Sequence, residues 1–155
     1  LEASAQVNLL HVYGSLGRVQ DALRASREAL PVMTRLGNRL GLAKIQWGIG
    51  ALLRGQGSRS GAIEAFRSAQ SEFSAAGLLA DAAASGLVIA DLLLELGEET
   101  AAANEIVSAL PLIEKYKLVP EGMAALALLR ESVRQQKVHH QALRDLHGFF
   151  EETVS

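Results

Sequence analysis

From Ala62 onward the residues Ala62, Phe66, Ala69, Phe73 and Ala76 fall at steps of four, three, four and three, with polar residues between them. Residues three and four apart share one face of an α-helix, so this is a single buried stripe. Stripe and polar turn alternate along the whole chain, and the pattern predicts helices throughout. A shift of forty residues lays it on itself. Gly17, Gly57 and Gly97 superpose, as do Ala22, Ala62 and Ala102, and then Ala29, Ala69 and Ala109. Apolar positions follow at Leu9, Ile49 and Ile89, at Tyr13, Leu53 and Leu93, and at Met33, Phe73 and Ile113. A second glycine recurs as Gly37 and Gly77, with Lys117 in the third copy. A weaker fourth copy keeps Met123, Leu129, Val133 and Ala142, and has Lys137 at its turn.

Each copy holds two stripes, so the unit is helix–turn–helix followed by a second turn. The predicted repeats run over 1–38, 39–78, 79–118 and 119–155. Glycine at the turn allows positive φ, and Ser58 or Ser60 can cap the helix that follows Gly57. The alanines five residues after the turn glycine sit where two antiparallel helices come nearest, which calls for small side chains. Pro31 and Pro111 lie two periods apart inside second-helix stripes. Each removes a hydrogen bond and crowds the carbonyl four residues back, so a kink is expected there, with the stripe continuing through Met33 and Leu36. The fold class is all-α: an α-solenoid of about four antiparallel helix pairs.

These residues resemble the tetratricopeptide repeat family, whose pattern places a small residue and a tyrosine-like position in the first helix. Glycine follows at the turn, then an alanine five residues on, a large apolar residue and another alanine. Gly50, Leu53, Gly57, Ala62, Phe66 and Ala69 carry it in the second copy; Tyr13, Gly17, Ala22 and Ala29 in the first; Ala90, Leu93, Gly97, Ala102, Ile106 and Ala109 in the third. The chain departs from the family in its longer period. Gln6, Gln46 and Gly86 stand where an early tryptophan is usual, and the closing proline is absent. The long period looks like that of repeats in large bacterial signalling and regulatory proteins.

Composition narrows the function classes. Of 155 residues, 49% are apolar but only 5% aromatic, so the core is built of alanine and aliphatic groups. The formal charge is −2 with Lys and Arg spread along the chain, which argues against nucleic acid as a partner of this segment. There is no cysteine, and therefore no disulfide, thiolate metal site or cysteine nucleophile. The apolar run Ala82 to Ala90 is too short to span a bilayer, so no membrane association is expected, and a cytoplasmic location is. The chain starts at Leu1 with a helical stripe already running, and reads as a fragment of a longer protein.

A search for chemistry finds no site. The glycine-rich Gly55 to Gly61 segment lacks a Gly-Lys-Ser/Thr ending and follows a helix, so it fits neither a P-loop nor a dinucleotide fingerprint. Arg59 stands where a serine-nucleophile elbow needs serine. His139, His140 and His147 are read as surface histidines; His140 and His147 share a face and, with Asp145 or Glu151, would make only a weak metal set. Glu98 and Glu99 suit a helix N-terminus. No enzyme activity, cofactor or metal is expected.

What the resemblance implies is a binding surface. First helices of such arrays line a concave groove, here Val7, Asn8 and His11; Lys44, Trp47, Ala51 and Arg54; Leu87, Val88, Asp91 and Glu95; and Ala127, Leu128, Glu131 and Arg134. The cationic clamp with which some members hold a terminal carboxylate is absent. Trp47, Leu87, Val88 and Leu128 offer apolar contact, with Arg54 opposite Asp91 and Glu95, which suits an amphipathic helix or apolar peptide. Trp47 is equally readable as packing between neighbouring repeats. The expected function is a non-catalytic module binding a protein or peptide; the alternative is a ligand- or peptide-sensing segment of a larger bacterial transcriptional or signalling regulator. Leu9, Leu10, Phe149 and Phe150 at the array ends could also support self-association.

Overall fold

The computed structural model describes residues 18–116, 118, 120–134 and 140–154. Among them are seven helices and no strand: α1 (Val19–Arg35), α2 (Arg39–Gly55), α3 (Arg59–Ala75), α4 (Leu79–Glu95), α5 (Glu99–Ile113), α6 (Pro120–Arg134) and α7 (His140–Val154). The architecture is an all-α helical repeat, and it is finer than the sequence period. Successive helices begin at 19, 39, 59, 79 and 99, half the forty-residue interval, and the first four are each 17 residues long.

The turns explain this regularity. Gly37, Gly57, Gly77 and Gly97 all take positive φ, between 63° and 81°. At the first, Gly37 N–H donates to Thr34 O at 3.1 Å and Asn38 N–H to Met33 O at 3.0 Å. That pair of bonds is a Schellman closure, and it recurs at Gly57 and Gly97. At Gly37, Gly57 and Gly97 the residue after the glycine is at once the end of the closure and the N-cap of the next helix. Asn38 does this best, its Oδ1 accepting the Gly41 N–H at 2.8 Å. The N-caps Arg18, Ser58, Leu78 and Glu98 make no such side-chain bond.

Neither proline breaks its helix. α1 runs through Pro31 to Arg35 and buries Met33, whereas Leu36 is the C-cap and 67% exposed, outside the stripe expected of it. α5 runs through Pro111 but stops at Ile113, where Tyr116 N–H closes on Ile113 O. The turn positions Gly17, Lys117 and Lys137 lie outside the described residues.

The chain divides into two compact units, 1–77 and 78–155, each holding two of the predicted repeats. In the first unit α2 packs on both α1 and α3. Leu23, Ala29, Met33, Ile45, Ile49 and Ala65 form its core. Ala22, Ala62 and Ala69 are fully buried, as the close-approach argument requires. Ser26 takes the core position that Phe66 holds in the next repeat, and its hydroxyl is satisfied by donating to Ala22 O at 2.7 Å.

In the second unit α4 packs on α5, α6 packs on α7, and α7 also packs along α4. Leu92, Ile106, Ile113, Leu129, Leu143, Leu146 and Phe150 are fully buried. Tyr116 meets Phe150 edge to face at 5.4 Å between centroids. The contact of α7 with α4 was not anticipated from the sequence.

Candidate functional site

On α2, the buried residues Ala43, Ile45, Ile49 and Gly50 set the inward side of the helix. Lys44, Trp47, Ala51 and Arg54 follow at steps of three, four and three, and so share the other side. Lys44 and Ala51 are exposed, while Trp47 and Arg54 are half-buried. Both readings of Trp47 are physically represented. Its ring packs edge-on against Phe66 of α3, with centroids 4.8 Å apart at 68°, while part of its surface stays in solvent. Gly50 permits this arrangement, because a Cβ there would lie 2.9 Å from the Phe66 ring. α2 carries Arg39, Lys44 and Arg54 and no acidic residue. Arg39 reaches Glu72 of α3 at 3.3 Å, and Lys44 and Arg54 stand three residues before and seven after Trp47 on its side of the helix.

The two units differ in charge. The first 77 residues carry nine basic and five acidic side chains; the remaining chain carries six and twelve. Basic residues are therefore dispersed within each half but not between halves, and the face around Trp47 belongs to the cationic half.

The α4 positions divide. Leu87 is 0% exposed and Val88 is buried with it, in a helix whose residues Ala82 to Leu93 are all buried. These two leucine and valine side chains are core, and they do not supply the open apolar surface expected of them. Asp91 is 6% exposed, yet it is not a solvated groove residue: His140 Nε2 and Arg144 Nε of α7 both meet its Oδ1, the arginine at 3.3 Å. The same arginine reaches Glu95 Oε1 at 3.4 Å. Asp91 and Glu95 are four residues apart, as are His140 and Arg144, so each pair occupies one face of its helix and the two faces meet.

On α6, Glu131 and Arg134 are exposed and pair with each other at 3.2 Å. Ala127 is exposed. Arg130 joins Glu114 at 2.6 Å. Val7, Asn8 and His11, the Leu128 side chain and His139 lie outside the described residues. His147 faces Glu151 at 3.1 Å on its own helix while His140 faces Asp91, so the histidines do not converge. Among the described residues no three His, Asp or Glu side chains gather as a metal set. A shallow, open hollow of about 540 Å³ lies against Glu98, Glu99, Thr100 and Asn104 at the start of α5. Among the described residues no helix is long and apolar enough to cross a membrane.

Compared with known proteins, the chain matches no family model and no curated protein.

Proposed function

We propose that the chain is a non-catalytic, tetratricopeptide-like interaction module that binds a peptide or helix of a protein partner on the outward face of α2, within a cytoplasmic and bacterial setting. The observation that carries this reading is the half-exposed Trp47 set between Lys44 and Arg54 on a helix without acids. Tryptophan and arginine are the side chains most enriched among binding anchors, and a ring held by Phe66 loses little freedom on binding. The chemistry of the face favours a partner that places an apolar side chain on the indole and acidic ones beside it. Glu131 and Arg134 pair with each other and contribute polar rim at most.

The test is capture of partners on the immobilised full chain and on its Trp47→Ala variant, with helicity followed by circular dichroism. Proteins retained by the first and lost by the second, at unchanged helicity, support the reading. An identical retained set refutes it.

A further inference from the structure

The second unit holds an interface that resembles a bound state. α7 lies along α4, with Ala142, Leu143, Leu146 and Phe150 as a buried stripe and His140 and Arg144 as a basic edge against Asp91 and Glu95. This is an amphipathic helix laid on a helical face, with apolar anchors at helical spacing and charge complementarity beside them. The positions it meets on α4, Asp91 and Glu95, are among those that first helices of such arrays would offer to a partner.

The polar half of this contact is of an exchangeable kind. The His140 and Arg144 side chains are 37% and 49% exposed, and Asp91 is covered where it meets them. Departure of α7 would uncover the part of α4 on which it lies, so an occupant there needs the same apolar stripe and basic edge. The α6–α7 pair is closely packed in itself. A Cβ on Gly122 of α6 would stand 2.9 Å from Phe149 Cβ of α7, so the two helices approach as closely as glycine allows. α6 makes few contacts with α5, which leaves the α4–α7 contact as the principal attachment of this hairpin among the described helices.

We infer that the Asp91–Glu95 face of α4 is a helix-binding surface, that α7 fills it in the isolated chain, and that the partner it fits is an amphipathic helix with two basic side chains four residues apart. The inference rests on reading the chain as an interaction module, and adds a second face, its ligand chemistry and an internal competitor.

The probe is a fluorescein-labelled synthetic peptide with the sequence of residues 140–154, followed by anisotropy. It is added to the full chain, to the full chain carrying His140→Glu and Arg144→Glu, and to that variant with Asp91→Asn and Glu95→Gln added. Binding at least about tenfold tighter to the charge-reversed chain than to the unaltered one, and lost again with the α4 changes, is the expected result. Equal binding to the first two, or none to either, overturns the inference. Hydrogen exchange on the unaltered chain gives a second reading that needs no variant. α7 amides should exchange through an opening that leaves α4 and α5 protected, and exchange of all three together overturns the inference. Trp47 is on α2, so partner binding that depends on Trp47 while the peptide fails would remove this inference and leave the module reading standing.

Discussion

Gly50→Ala tests the packing behind the Trp47 face, because the added methyl would land 2.9 Å from Cδ1, Cε1 and Cζ of Phe66. Ordinary carbon contacts are about 3.5–4.0 Å, so either the ring or the helix must move. Phe66 is 2% exposed and stacked edge-on against Trp47, which leaves it no open side. Overpacking of this kind costs roughly 1–3 kcal/mol. Alanine recovers about 1 kcal/mol over glycine in a helix interior. The net is a loss of about 1 kcal/mol, or roughly 2–4 °C in melting temperature for a chain of this length. Gly55→Ala is the matched control: it lies in the same helix, with nothing within 4 Å of its added methyl. It should gain up to about 1 kcal/mol, so the two variants separate by about 2 kcal/mol. Urea unfolding followed by circular dichroism reads the difference, and the Trp47 emission maximum should shift in Gly50→Ala alone. Equal stability of the two variants, with unshifted emission, would refute the claim that Gly50 is where α2 and α3 touch.

Gly57→Ala meets no atom within 4 Å but forces alanine to φ +81°, so it should destabilise by about 1 kcal/mol in the same assay. No loss would mean that the turn relaxes to another closure. Replacing both His140 and Arg144 by alanine takes two hydrogen-bonding partners from the nearly buried Asp91 carboxylate and should cost roughly 1–3 kcal/mol. Asp91→Asn leaves the half-exposed His140 and Arg144 side chains to water, which can hydrate both, and should cost less than about 1 kcal/mol. A reversed order, measured by denaturant titration, would contradict the placement of α7 on α4.

The helical stripes, the turns at Gly37, Gly57, Gly77 and Gly97 and the alanine seams were legible because each is local. A stripe at three and four residues, a glycine at the C-terminal turn and an alanine at a close approach leave marks within one period. The half-period identity of the turns was visible only as Gly37 and Gly77 recurring beside Gly57 and Gly97. It became an architectural rule when all four showed positive φ. Leu87 and Val88 were misplaced because the forty-residue alignment assigns a face by analogy, whereas α4 is buried around its whole circumference from Ala82 to Leu93. The apolar run Ala82 to Ala90 carried that information, since a helix without a polar side is one buried on all sides. The α7–α4 contact joins residues 49 and 53 positions apart. No local pattern encodes it beyond two charge pairs of matching spacing, which occur on many solvated helices.

The central claim is that partners engage the face of α2 around Trp47. Its most direct measurement is the hydrogen-exchange and indole N–H footprint of the full chain with and without a captured partner. The account predicts protection centred on Lys44 to Arg54 and a shifted Trp47 indole resonance, both lost in Trp47→Ala. A bound partner that leaves α2 amides and the indole unchanged would contradict it.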